Sequence, residues 1–289
     1  MQTGLALQLL AYSIGMNYQE IRISGYRLEF SDSFPAGTVF NSEGTGFFSD
    51  GQRSSFVKLP SSKFAKVFKF NVYLKGKIHS LILKQYLNRS FFDILKNSLR
   101  PCRAQRAFKA GQMLKRYGFF TPDVVAVGKK TFVGITTKNF LITGQVEDSV
   151  PLYKMLDIDI SQKQQLIKQF GQTVGRMHAA GIFHGDLRLG NVLVKPVVSL
   201  SNPKDDNRFV FIFLDNERTK KFKKLPESLR LKNLVQISMS RENISDSDRM
   251  HFLDAYLAQQ NIRLDGEKLA AQIAATVARR LAARGIRTV

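Results

Sequence analysis

Between Ser161 and Asp215 the hydrophobic rhythm of the chain changes three times, and few folds satisfy all three changes. Leu166, Phe170, Val174 and Met177 recur at spacings of four, four and three, which is one apolar face of a long helix. The polar, glycine-bearing stretch His184-Gly185-Asp186-Leu187-Arg188-Leu189-Gly190-Asn191 follows, and then the apolar Val192-Leu193-Val194. Phe209 to Leu214 is an unbroken apolar run, as expected for a buried strand, and Asp215 closes it. The intervening Pro196 to Arg208 is polar and rich in turn residues, so it reads as a hairpin loop. The sequence therefore predicts a polar loop held between a long helix and a strand, with an acidic residue at the end of the next strand.

Upstream the pattern is β-rich from Gly25 to Lys84. Phe64 to Leu74 and Lys77 to Leu87 carry many β-branched and aromatic residues, with Lys75-Gly76 between them as a hairpin turn. A helix is expected near Arg103 to Tyr117, stopped by Gly118 and Pro122. Val124 to Val127 and Phe132 to Ile142 read as further strands. Downstream, Ser245 to Asp248 has the form of a capping box opening a helix whose apolar face is Met250, Leu253 and Leu257. A last helix, about Glu267 to Arg284, aligns Leu269, Ile273, Val277 and Leu281, and Gly285 ends it. A β-rich half followed by a helical half predicts an α+β chain of two lobes. The N-terminal lobe covers 1–148, with an unplaced extension over about 1–55, and the C-terminal lobe covers 149–289. The boundary is expected near Glu147 to Leu152.

Composition narrows the setting. With 289 residues, 44% of them hydrophobic, the chain can bury a sizeable core. Cys102 is the single cysteine, which excludes an internal disulfide framework and fits a reducing compartment. A formal charge of +21, from 44 basic and 23 acidic residues, points to an anionic partner: a phosphorylated substrate, an anionic membrane or nucleic acid. Solubility alone also accounts for such a charge. Nucleic acid ranks last, because no interleaved basic and aromatic motif is present. Leu5 to Met16 is apolar but shorter than the ~20 residues a bilayer span needs. No basic stretch precedes it, so it is a poor signal peptide and is expected to be a helix packed on the body or an interfacial segment. No transmembrane span follows, which predicts a soluble or peripheral protein.

The chemistry lies in the polar loop. A carboxylate and an amide five residues apart match the H-x-D-x-x-x-x-N pattern of kinase catalytic loops. Asp186 would face an acceptor hydroxyl and accept its proton, while Asn191 would turn back toward a metal ion beside the phosphates. Asp215, at the end of its strand, would complete the metal site. Magnesium prefers one or two carboxylates plus phosphate oxygens, which this set provides. Lys84, in Leu81-Ile82-Leu83-Lys84-Gln85-Tyr86, follows an apolar run and could pair with the α- and β-phosphates of ATP, although a strand lysine by itself is usually a surface residue. His184 is assigned a structural role.

At these residues the chain resembles the lipopolysaccharide inner-core sugar kinases, the Kdo and heptose kinases, within the protein-kinase-like superfamily. The resemblance rests on His184-Gly185-Asp186-Leu187 with Asn191, and on Leu214-Asp215-Asn216-Glu217-Arg218. Leu83-Lys84-Gln85-Tyr86, Arg103-Ala104, Gly118 with Thr121-Pro122, and Asn233-Leu234-Val235-Gln236 agree with it. It implies transfer of the ATP γ-phosphate to a sugar hydroxyl of an anionic, lipid-linked core oligosaccharide, by a cytoplasmic protein peripheral to a Gram-negative inner membrane. It also implies Asp186 as base, Asn191 and Asp215 as metal ligands and Lys84 as phosphate lysine, with adenine near Gly144 to Glu147. Arg188 and the cluster Arg218, Lys220, Lys221, Lys223 and Lys224 are candidates for holding the anionic acceptor, with a plain solvated face as the equal reading of the cluster. Arg279, Arg280 and Arg284 could touch anionic lipid, but core packing of the last helix is the first reading. Two departures stand out. Gln105 and Ala107 occupy the places where such kinases carry a helix glutamate, so that either Asp93 substitutes or the pair is absent, and no glycine-rich loop precedes Lys84 beyond Leu59-Pro60-Ser61-Ser62-Lys63. A protein or small-molecule kinase, and a catalytically inactive adaptor of the same fold, are the competing readings.

Overall fold

The computed structural model describes residues 17–23, 26–32, 34, 56–87, 100–133, 135–197, 208–240, 243–262 and 264–285. Leu5 to Met16 and Asp93 lie outside them. The chain divides into two compact units, the first ending at Glu147 and the second starting at Asp148.

The first unit is an antiparallel sheet of seven strands. In chain order these are β1 (Tyr18–Ile23), β2 (Tyr26–Ser31), β3 (Val57–Leu59), β4 (Ala65–Leu74), β5 (Lys77–Tyr86), β6 (Val124–Phe132) and β7 (Ile135–Gly144). Across the sheet they run β1-β2-β6-β7-β5-β4-β3. The hairpin at Lys75-Gly76 is present, and both residues have positive φ, 51° and 77°, the backbone a tight two-residue hairpin turn requires. β6 extends to Phe132, five residues beyond the predicted strand end, because Thr131 and Phe132 still pair with Thr136 and Ile135. The sequence did not place β1. It joins the sheet through β2, which pairs with β6.

Alternation gives the sheet two buried faces. One carries Leu28, Phe30, Phe70, Leu81, Leu83, Phe140 and Ile142. The other carries Tyr86, Val124 and Val127, and helix α1 (Arg103–Arg116) covers it with Ala104, Ala107 and Phe108. Cys102 is the N-cap of α1 and is buried, which pushes its thiol pKa up and makes it a packing residue.

The second unit is mainly helical. A short strand β8 (Val150–Pro151) and a 3-10 turn lead into α2 (Ile160–Ala179). Leu166, Phe170, Val174 and Met177 are all buried, as their spacing predicts. Then come β9 (Ile182–Phe183), the polar loop, β10 (Val192–Val197), β11 (Arg208–Phe213) and β12 (Lys220–Lys221). Helices α3 (Glu227–Ser238), α4 (Asp246–Leu257) and α5 (Gly266–Ala282) complete it. The capping box at Ser245 and Asp248 is formed. α2 and α4 cross closely because Gly171 and Gly175 present bare backbone there: a Cβ would lie 2.4 Å from the Phe252 carbonyl and 2.7 Å from that of Tyr256. Of the face predicted for α4, Leu253 is buried but Met250 is 52% exposed. The contact with α2 centres on Phe252, Ala255 and Tyr256 instead.

Candidate active site

The polar loop is shaped by its neighbours on both sides. Antiparallel pairing of β10 with β11 sets Val192 opposite Phe213, and the Leu214 amide donates to the Asn191 carbonyl at 2.9 Å. Asn191 and Asp215 therefore leave the same end of one hairpin. β9 pairs with β12, so the chain after Asp215 runs back beside the start of the loop. Gly185 sits at φ 85°, and any Cβ on it would meet the Arg218 backbone, 2.7 Å from its carbonyl oxygen. A glycine is required at this close approach.

Within that frame Asp186 and Asn191 are tied together. The Asn191 amide nitrogen donates to the Asp186 carbonyl at 2.9 Å, which leaves its amide oxygen at the opposite end of the group. Arg188 grips the Asp186 carboxylate with two bonds, Nε to Oδ1 at 2.8 Å and Nη2 to Oδ2 at 2.7 Å. This fork is the strong form of a charge-assisted pair, with Arg188 largely in solvent. It holds the Arg188 guanidinium more firmly in its charged form, and Asp215 adds in the same direction. Asp215 itself has φ 58° and ψ 45°, a left-handed backbone that a non-glycine residue adopts at a cost.

His184 is wholly buried against the Phe213 ring, 5.6 Å between centroids. Burial pushes its pKa down, against the pull of Asp186, Asn216 and Asp215. The Asn216 side chain and Leu214 backbone lie against its ring without closing to full hydrogen-bond geometry. Its carbonyl accepts from the Thr219 hydroxyl at 2.8 Å, so it braces the turn after Asp215.

A second set of residues holds the loop from beneath, and hydrophobic periodicity gave no sign of its role. Asn233 Oδ1 on α3 accepts from the His184 amide at 3.2 Å and faces His178 Nε2 at 3.2 Å. Gln236 Oε1 accepts from the Leu187 amide at 3.1 Å, and its nitrogen reaches the Gly185 carbonyl. The peptide is thus clamped on both sides of Asp186. His178 Nδ1 meets the Tyr256 hydroxyl at 3.0 Å, and Arg230 donates to that hydroxyl at 3.1 Å. Burial, with Arg230 nearby, lowers the His178 pKa from 6.5 to about 3, so the ring is neutral. The signal available in the sequence was polarity where a helix should be apolar: Arg230 and Asn233 are buried residues of α3.

The acceptor candidates Arg218, Lys220 and Lys221 are exposed along the segment after Asp215, with the Lys221 ammonium on the Phe222 carbonyl at 2.7 Å. Among the described residues no group of three or more His, Cys, Asp or Glu forms a ready-made metal cage. The oxygen set of Asp215 and Asn191 suits a hard cation that takes its other ligands from phosphates and water.

The remaining candidates belong to the first unit. Lys84 lies on the third of three consecutive antiparallel strands, β3, β4 and β5. Its ammonium sits 5.2 Å from the centre of the Tyr86 ring, and the Arg103 guanidinium lies 4.8 Å from the same ring. Arg103 also donates to the Phe64 carbonyl at 3.0 Å, tying α1 to the β3–β4 loop that contains Ser61, Ser62 and Lys63. Helix α1 contains no acid. Gln105 is spent on the Cys102 amide and Ala107 is packed in the core, so neither replaces the helix glutamate. Glu147 is exposed at the end of the unit.

The second unit also holds an apolar cavity of about 430 Å³. Ile167 and Phe170 of α2, Leu234 and Ile237 of α3, and Ile273 and Val277 of α5 line it. Ile273 and Val277 are thus only partly covered, between the buried Leu269 and Leu281.

Comparison with known proteins agrees with this architecture. Lipopolysaccharide core heptose(I) kinase WaaP of Escherichia coli is 29% identical over 194 residues, 62% of this chain and 71% of that protein. The same kinase from strain K12 is 29% identical over 198 residues, covering 63% and 71%. A solved structure described as WaaP in complex with acyl carrier protein superposes with a TM-score of 0.56 at 18% identity, covering 78% of this chain and 89% of that one. The fold is therefore protein-kinase-like. The model of the lipopolysaccharide kinase (Kdo/WaaP) family matches residues 53–256, a span that contains Lys84, the whole polar loop and Asp215. This chain belongs to the lipopolysaccharide kinase (Kdo/WaaP) family.

Proposed function

We propose that this protein transfers the γ-phosphoryl group of ATP to a sugar hydroxyl of the lipopolysaccharide inner core, with heptose as the first acceptor to test and Kdo as the second. The observation that carries this reading is the meeting of Asp186, Asn191 and Asp215 at one end of the β10–β11 hairpin. The curated relatives act on heptose(I), which puts that sugar ahead.

Asp186 takes the proton of the acceptor hydroxyl as its oxygen attacks the γ-phosphorus and ADP departs. Arg188 fixes the direction of the Asp186 carboxylate and keeps a guanidinium beside the path of the phosphoryl group. The Asn191 amide oxygen and the Asp215 carboxylate would hold magnesium, whose chemistry when bound is to neutralise phosphate charge. Lys84 serves the α- and β-phosphates, and the stretch ending at Glu147 serves the adenine. Arg218, Lys220 and Lys221 receive the anionic groups of the acceptor. The protein works at the cytoplasmic face of the inner membrane as a peripheral enzyme. Among the described residues no helix is long and apolar enough to cross a bilayer.

The cavity extends the reading to a partner. An apolar space of about 430 Å³ is of the size and character to take an acyl chain, and the related WaaP structure contains an acyl carrier protein. We assign the cavity to the acyl group of such a carrier.

Labelled ATP supplied with purified core lipopolysaccharide, with a generic protein and with buffer alone tests the function. Label is expected in the saccharide, on heptose. Label on the generic protein would favour a protein kinase, and release only as free phosphate, or no turnover, would overturn the reading.

A further inference from the structure

At one end of the sheet the β6–β7 hairpin carries exposed apolar residues at its very tip. Phe132 and Val133 are 72% and 83% exposed, and Ile135 is 37% exposed. Val133 has φ 46°. A β-branched residue in that region is strained, and among the described residues no packing compensates. Directly behind the tip, Lys130 of β6 pairs with Lys138 of β7. Like charges opposite one another weaken a sheet. Lys129 lies beside them, and the Lys130 ammonium stands over the Tyr26 ring, 5.4 Å from its centre. The acids of the adjoining strands, Glu20 and Glu29, are level with Val127, further from the tip.

The β4–β5 hairpin at the other end of the sheet has the reverse order. Its turn is Lys75-Gly76, and its exposed Tyr73 and Ile78 face each other across the strands behind it. Charge leads there, and apolar surface follows.

We propose that the β6–β7 tip is a membrane-surface anchor, with Phe132, Val133 and Ile135 entering the interface of an anionic bilayer and Lys129, Lys130 and Lys138 meeting its headgroups. Three apolar residues at a turn are far too few for a stable protein interface, which covers ~800 Å² on each partner. They suit shallow insertion, and a band of lysines one step behind is what anionic headgroups attract. The charge of +21 favours the same surface. This sharpens the peripheral-membrane part of the function proposed above and is independent of the chemistry at Asp186.

Flotation of the full chain with phosphatidylcholine vesicles, with and without phosphatidylglycerol, tests it. The protein should float only with the anionic vesicles, and added salt should weaken the association. Lys130→Gln with Lys138→Gln should lower partitioning about thirtyfold, from about one unit of lysine–lipid attraction each. Phe132→Ser with Val133→Ser should lower it about tenfold or more. Tyr73→Ser with Ile78→Ser should leave it unchanged. All three should melt no lower than the parent, the lysine variant at or slightly above it, and phosphorylate a delipidated core oligosaccharide at the parent rate. A parent that ignores anionic vesicles, tip variants that float like it, or an equal loss in the Tyr73/Ile78 variant would each overturn the anchor while leaving the kinase reading intact. So would self-association through the tip in place of vesicle binding.

Discussion

The loop that carries Asp186 and the strand that carries Lys84 are fixed by opposite means. The Asp186 loop is held by neutral hydrogen bonds from below: Asn233 and Gln236 take the His184 and Leu187 amides, and His178, Tyr256 and Arg230 extend the network into α4. Lys84 is placed by sheet register, between Val67 and Leu141, with its charge over an aromatic ring beside a second cation. A proton-accepting carboxylate must be aimed to within a fraction of an ångström, so its backbone is bolted down. On the proposed reading Lys84 meets a polyanion, for which its place in the sheet and its charge matter most.

The first way to break the comparison is at the metal. Asp215→Ala should reduce phosphate transfer by about a thousandfold while the protein melts as before, since Asp215 is exposed and contributes little to the core. The second is at the clamp. Asn233 is completely buried, and Asn233→Ala removes partners from His178 and from the His184 amide together. Chemical denaturation should show a loss of about 3 kcal/mol, with a fall in turnover at temperatures where the variant is still folded. A third test concerns register. Lys84→Ala should lower kcat/KM for ATP about a hundredfold with little change in stability. A stability loss matching that of Asn233→Ala would mean that Lys84 is structural.

The buried histidine of this network also predicts a pH response in the second unit. The folded pKa of His178 is depressed from the ordinary 6.5 to about 3, so the unfolded chain binds the proton first. Stability from this group is complete above pH 6.5 and is lost as pH falls from 6.5 toward 3. The loss amounts to about 1.4 kcal/mol per pH unit inside that window. His184 contributes in the same direction. Urea unfolding at steps through the window should show the slope, and His178→Gln should reduce it to the part that His184 contributes.

What the sequence revealed follows the same division. Local patterns were readable: the α2 face, the turn at Lys75-Gly76, the capping box at Ser245 and the loop motif all depend on residues a few positions apart. The role of the clamp was not: the resemblance marked the Asn233 to Gln236 segment, but its partners lie far away in the chain and α3 buries Arg230 and Asn233 where periodicity looks for apolar side chains. Met250 was misassigned because the surface α4 turns toward α2 runs through Phe252, Ala255 and Tyr256, and backbone at Gly171 and Gly175 selects that surface. β1 escaped notice since its visible signal is charged, Glu20 and Arg22 flanking Ile21, and the buried residues of that hairpin, Leu28 and Phe30, are on β2.

On the proposed mechanism Asp186 accepts the proton of a sugar hydroxyl. Asp186→Asn keeps the shape of the side chain and removes its basicity. We expect its initial rate of phosphate transfer to core lipopolysaccharide to fall by about a thousandfold, with nucleotide binding and melting unchanged. Transfer at the parental rate by that variant would contradict the account.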